Sequence, residues 1–335
     1  IFIMAMPVFG GLFYLIFKLQ SSAYNFKKTL DFYTAKSKKV LNQETAVLND
    51  FGKDFPEYKP QTDYLITTVG FPIYRNTITE YLSTGEKQYA RMIEEIKKAE
   101  RYIFLEFFII EEGRMWNNIL ELLKEKASQG VEVRVMYDDV GCFLKLPADY
   151  DKTLEKFGIK CTIFNPFHPI WSTVQNNRDH RKIVVIDGVT AFTGGSNLAD
   201  EYINAIERFG HWKDAGIMIK GDAAWSFTVM FLQMWDTLKK SDEDYNSYKP
   251  NHEYNYVSAS GYIQPYDDSP LDNENVGEHV YLQIINRANK YIYITTPYLI
   301  IDDNMLSALQ LAAKSGIDVR IITPRVPDKK VVHMT

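Results

Sequence analysis

Residues 178–202 read RDHRKIVVIDGVTAFTGGSNLADEY, and the local fold and the chemistry of the chain both follow from this stretch. After Lys182 come four apolar β-branched residues, then Asp187-Gly188, then a second apolar run beginning at Val189. That order predicts a strand, a two-residue turn of the kind that joins antiparallel strands, and a returning strand. Alternate side chains on a strand leave the same face, so His180 and Lys182 share one face and Asp187 does not. Gly194 and Gly195 close the returning strand and permit close backbone approach to a ligand. Asn197 follows with an amide that can donate to an oxyanion. An imidazole, an ammonium and an amide thus converge, with Arg178 and Arg181 beside them. Such a set can neutralise the oxygens of a phosphodiester without a metal while a neutral histidine attacks phosphorus. A carboxylate is then needed to orient the ring, and Asp214, Glu201 and Glu106 are the candidates. Asp187, immediately before a glycine, suits a turn role.

Outward from this stretch the chain alternates helical and strand patterns. ARMIEEIKKAERY has helical spacing, IFLEFFII reads as a buried strand, WNNILELLKEKASQG as a helix and VEVRVMYDD as another strand. The same order returns near the carboxyl end in HVYLQIINRANKYIYITTPYLI, MLSALQLAAKSG and IDVRIITP. Ala99, Tyr102 and Ile103 match Ala288, Tyr291 and Ile292, while Gly130 and Arg134 match Gly316 and Arg320. The offset of 186 to 189 residues is too long for a solenoid and indicates a duplicated α/β unit. The second copy stops soon after its second strand and is therefore expected to be incomplete.

The first 17 residues carry no charge, which predicts a transmembrane helix over 1–20. Lys18, Lys27, Lys28, Lys36, Lys38 and Lys39 follow, which places the remainder on the cytoplasmic side and favours an anionic leaflet. Residues 21–72, with Pro56 and Pro60, read as a juxtamembrane linker carrying one amphipathic helix. A first α/β domain is expected over 73–258 and the start of a second over 259–335. A net charge of -5 argues against a nucleic-acid partner. Cys142 and Cys161 have no metal-ligand spacing and read as reduced, packed thiols. Asp138 and Asp139 close a strand before Gly141, where acids serve as caps or hold a cation; His168, His211, His252, His279 and His333 receive no catalytic role. No other hydrolase, metalloprotease or nucleotide-binding motif occurs.

His180, Lys182 and Asp187 have the spacing H-x-K-x4-D, and with G-G-x-N they resemble the HKD motif of the phospholipase D superfamily. RDHRKIVVIDG and FTGGSNLADEYI resemble bacterial cardiolipin synthases in particular, as do residues 102–110, MYDDVG at 136–141, FNPF at 164–167, HWKD at 211–214 and TTPYLI at 295–300. The resemblance covers about residues 60–335. It implies a phospholipase D-like α/β/α sandwich, duplicated, with each unit giving one motif to a shared site. One histidine would attack phosphatidylglycerol and the other protonate the departing glycerol; a second phosphatidylglycerol would resolve the phosphohistidine to cardiolipin. By motif position His180, Lys182 and Asp187 form the catalytic set, His180 as nucleophile or its acid partner; Lys182 and Asn197 bind phosphate and Asp214 orients His180. Arg178 and Glu106 are supporting candidates, and no cofactor or metal is called for. The implied partners are phosphatidylglycerol and anionic membrane lipids at the bacterial cell membrane. No second H-x-K-x4-D follows Asp187, so this chain alone is expected to hold half a site and be inactive. A phospholipase D-type hydrolase and an inactive lipid-binding scaffold are the alternatives.

Overall fold

The computed structural model describes residues 8, 10, 11, 21–166, 177–250, 259–271 and 274–328. Among the described residues no helix is long and apolar enough to cross a membrane, and the expected span over 1–20 falls almost wholly outside them. The chain then forms helices α1 (Ser21–Lys38), α2 (Thr45–Asp54) and α3 (Lys59–Tyr64), the last running into a π-helical turn, Leu65–Val69. The main domain follows as β1 (Thr77–Leu82), α4 (Gly85–Ile96), β2 (Tyr102–Phe107), α5 (Arg114–Ser128), β3 (Glu132–Asp138), α6 (Asp139–Cys142), α7 (Tyr150–Glu155) and β4 (Lys160–Phe164). It is completed by β5 (Lys182–Ile186), β6 (Thr190–Gly194), β7 (Gly216–Gly221) and α8 (Ala224–Lys239).

The sheet order is β1-β7-β6-β5-β2-β3-β4, with β2, β3 and β4 parallel and the other pairs antiparallel. Both faces are covered, which is why β2 and β5 are continuous apolar runs with little alternation. Ile103, Leu105 and Phe107 pack with Val184 and Ile186 against Met92 and Ile96 of α4 and Ile119 of α5. Tyr102, Phe104, Ile183 and Val185 pack on the other face against α8, with Phe104 stacked on Phe231 at 4.5 Å between ring centroids. This parity decides what the site can contain. Lys182 leaves with Val184 and Ile186 toward α4 and α5, whereas Glu106 leaves with Phe104 toward α8.

The stretch expected to be a linker is instead packed on the domain. Leu30, Tyr33 and Ser37 of α1 are buried, and Lys36 reaches Asp236 of α8 at 3.0 Å and Asp242 at 2.9 Å. Lys36 is thereby committed to ion pairs within the fold.

The carboxyl-terminal unit comprises α9 (Val276–Arg287), β8 (Tyr291–Thr295), α10 (Asp303–Lys314) and β9 (Asp318–Ile322). Its strands pair in parallel, Tyr291 opposite Asp318, as Tyr102 stands opposite Glu132 in β2 and β3. The likeness reaches side chains: Arg134 lies over the Phe104 ring at 5.2 Å, and Arg320 over the Tyr293 ring at 5.1 Å. Before α9, residues 259–271 form a strap on the first unit, with Tyr74 bridging Ile263 and Gln264 Nε2 donating to the Phe71 carbonyl at 2.9 Å.

Candidate active site

His180 precedes β5 by two residues and is exposed, while Lys182, at 5% exposure, opens the strand. The Lys182 ammonium donates to the His180 carbonyl at 2.7 Å, so the cation is folded back beneath the histidine backbone. Phe108 lies between the two: its ring centroid is 4.9 Å from that of His180 and 5.8 Å from Lys182 Nζ. An accessible imidazole and a largely desolvated ammonium thus flank one aromatic ring, where the charge is far less screened than in water. Phe108 was not among the residues singled out from the sequence. It was visible only as part of an apolar strand end, without any sign of which side chain it would meet.

The turn after β3 holds Phe108 in place. Asp138 caps α6 by accepting the Gly141 N–H at 3.1 Å, and a Cβ at Gly141 would lie 1.9 Å from the Phe108 carbonyl oxygen, so glycine is needed there. Asp138 also accepts the Asp179 N–H at 3.1 Å, tying the segment before His180 to β3; burial raises its pKa.

Asn197 is buried. Its Oδ1 accepts the Ile109 N–H at 3.0 Å and its Nδ2 donates to the Tyr202 hydroxyl at 3.0 Å, fastening the loop after β6 to the backbone next to Phe108. The Asp214 carboxylate accepts from Trp212 Nε1 at 3.1 Å and from the Ala215 N–H at 2.8 Å. A Cβ on Gly195 would come within 2.2 Å of Asp214 Oδ1, so the second glycine of G-G-x-N makes room for this carboxylate.

The remaining sequence candidates make other contacts, Arg178 and Arg181 within the cavity that His180 and Lys182 also line. Glu106 is fully buried on the opposite face of the sheet, 2.5 Å from Arg181 Nη2, and so does not orient His180. Burial pushes its pKa well above the usual carboxylate range, with Arg181 opposing. Arg181 also meets Asp179 through Nε at 3.2 Å and Asp267 through Nη1 at 3.2 Å. Arg178 donates to the Asn165 carbonyl at 2.9 Å and lies 3.5 Å from Asp138. Glu201 is buried and paired with Arg208 at 3.1 Å. Asp187 lies at the far end of β5, where Asp187 and Gly188 have φ of 53° and 72°, the left-handed pair of a tight hairpin turn. Its carboxylate accepts the N–H groups of Glu100, Arg101 and Tyr102 at 2.9, 2.8 and 2.8 Å.

His211 is exposed, and His279 Nδ1 lies 2.9 Å from both Tyr64 and Glu274. His168, His252 and His333 lie outside the described residues. Cys142 and Cys161 are free and buried; Cys142 accepts the Ile110 N–H at 3.1 Å, and burial pushes its thiol up to about 12.

Residues 92–235 and 281–335 match the family described as cardiolipin synthase, phospholipase D-like domain. The chain belongs to that family. Among its relatives, an uncharacterized protein of Streptococcus mutans is 47% identical over 98% of this chain and 71% of its own length. A cardiolipin synthase of Alkalihalophilus pseudofirmus is 34% identical over 98% of this chain and 65% of its own length. The chain therefore spans about two thirds of the cardiolipin synthases it matches. A phosphatidylserine synthase from Haemophilus influenzae shares the fold at a TM-score of 0.55 and 17% identity, covering 80% of this chain and 66% of that one. The mixed sheet between helical layers is thus the phospholipase D-like α/β fold. The His180–Lys182 pair lies within the first matched segment of this cardiolipin synthase family domain.

Proposed function

We propose that the full-length protein joins two phosphatidylglycerol molecules into cardiolipin with release of glycerol, and that this chain supplies one histidine–lysine pair of the site. The observation that carries it is the exposed His180 imidazole beside the desolvated Lys182 ammonium, in a chain of the cardiolipin synthase family. In the first step an imidazole nitrogen bonds to phosphorus, the phosphorus–oxygen bond to the headgroup glycerol breaks, and the departing oxygen takes a proton from the partner histidine of the second motif. In the second step a glycerol hydroxyl of another phosphatidylglycerol gives its proton to that partner and attacks phosphorus; the phosphorus–nitrogen bond breaks and cardiolipin leaves. His180 takes one of these two roles. Lys182 neutralises a non-bridging oxygen as charge builds, and Asp214 with Asn197 holds the surrounding loops. Asp187 acts through the hairpin turn.

A substrate that resides in a bilayer puts the working enzyme at the bacterial cell membrane, with this domain on the cytoplasmic side. The test is the full-length protein in phosphatidylglycerol vesicles, with lipids followed by mass spectrometry. Cardiolipin and glycerol together, both lost in His180→Asn, are the expected products. Phosphatidic acid in place of cardiolipin would make water the acceptor, and no product from a folded protein would leave a lipid-binding scaffold.

A further inference from the structure

His180 stands on a segment, residues 177–181, that has no regular strand or helix structure, so the sheet ladder alone does not fix where its imidazole projects. The residue between the two site side chains answers this. Arg181 turns toward Glu106 and lines the same cavity as His180 and Lys182, and carboxylates from three parts of the fold meet its guanidinium: Glu106 of β2 at 2.5 Å, Asp179 at 3.2 Å and Asp267 of the strap at 3.2 Å. Glu106 is wholly buried and the Arg181 side chain only 18% exposed. Asp179 closes the arrangement, accepting the Arg181 N–H at 3.2 Å while its own N–H is held by Asp138 of β3. The residues on either side of His180 are therefore pinned, one to β3 and the other to β2 and the strap.

We propose that Arg181 is a positioning residue for the His180–Lys182 pair, its carboxylate cluster setting the height and direction at which both side chains leave the backbone. This rests on the function proposed above. A planar guanidinium can hold three carboxylates at once in fixed directions, which an ammonium on a flexible stem cannot. Residue 181 is joined by one peptide bond to each of 180 and 182, and those bonds are planar, so an anchor at 181 constrains both neighbours together. Asp267 extends the anchor to the strap that leads into the carboxyl-terminal unit, so the same guanidinium ties the pair to the chain segment joining the two units.

The experiment compares the full-length protein with two variants in phosphatidylglycerol vesicles, measuring kcat and KM per folded molecule, the folded fraction being taken from thermal unfolding. Arg181→Lys keeps the charge and loses the fork. The combination Glu106→Leu, Asp179→Asn, Asp267→Asn and Arg181→Met removes the charges together, an exchange that leaves many cores as stable as before. Both variants are expected to lose about 10²-fold in kcat with KM little changed, the cost of a reacting group displaced by about 1 Å. A merely structural cluster predicts the opposite for the charge-free variant, namely wild-type kcat once it is folded. Wild-type kcat in either folded variant would overturn the positioning role. Should the charge-free variant not fold, Arg181→Lys alone decides by the same criterion. A wild-type enzyme that releases no glycerol while binding vesicles would remove the functional reading itself, and the positioning role with it.

Discussion

Asp187 and His180 sit at opposite ends of one hairpin and should respond oppositely to substitution. The Asp187 carboxylate accepts three backbone N–H groups that begin β2, so Asp187→Asn leaves one oxygen and places an amide donor against backbone donors. A loss of about 1–3 kcal/mol in urea unfolding is expected, with kcat per folded molecule unchanged. His180→Asn is expected to show the reverse, an unfolding midpoint near wild type and no turnover, because the side chain is exposed. The D-G turn signal is readable from the sequence and sets Asp187 apart from Lys182 along β5, while His180, two residues ahead of the strand, meets Lys182 only around the Phe108 ring. Parity between strands was not readable. Glu106 looked like a partner for His180 until the pairing of Glu106 with Ile183 put its side chain on the α8 face. Long-range register follows from the assembled sheet, and no local pattern encodes it.

At the scale of elements, short turns and clamps hold the site. Gly141→Ala would drive a methyl group into the Phe108 carbonyl, displacing the ring that His180 and Lys182 share. Stability is expected to fall by roughly 1–3 kcal/mol, and the affected turn to lose hydrogen-exchange protection first. A second clamp joins the loop after β2 to the loop after β6: Arg208 donates to Glu111 at 2.7 Å, and Lys145 pairs with the same carboxylate. The Arg208 hydrogen bond, helped by Lys145, lowers the Glu111 pKa from 4.5 to about 2. Since the folded value lies below the unfolded one, this stabilisation is present above pH 4.5 and disappears as pH falls toward 2. The thermal midpoint should drop across that window, and Glu111→Gln should make the drop shallower. The packing of α1 on α8 makes a third case. Removing the ammonium in Lys36→Met leaves the fully buried Asp236 without its counter-ion, held by the Ser241 hydroxyl at 2.6 Å and the Glu243 N–H at 3.4 Å, at a cost of roughly 3 kcal/mol in unfolding experiments. That packing was not legible beforehand: α1 is lysine-rich with a weak apolar stripe, and its docking depends on a buried aspartate about 200 residues away.

The whole molecule repeats one plan, a parallel strand pair joined by a helix with an arginine over an aromatic ring, in both β2–β3 and β8–β9. This duplication was legible because matched residues kept their spacing across an offset of about 186–189 positions. The first unit carries the histidine–lysine pair in an α/β fold of the cardiolipin synthase family, and the chain spans 65% of a cardiolipin synthase it resembles. The phosphoenzyme mechanism proposed above would need a second acid–base group opposite the first, which would make turnover a property of the full-length protein. The most direct measurement is lipid mass spectrometry on that protein in phosphatidylglycerol vesicles, wild type beside His180→Asn, with free glycerol assayed in parallel. Cardiolipin and glycerol in equal amounts from wild type, and neither from the variant, are the predicted result; cardiolipin formed undiminished by His180→Asn would contradict the central role given to the His180–Lys182 pair.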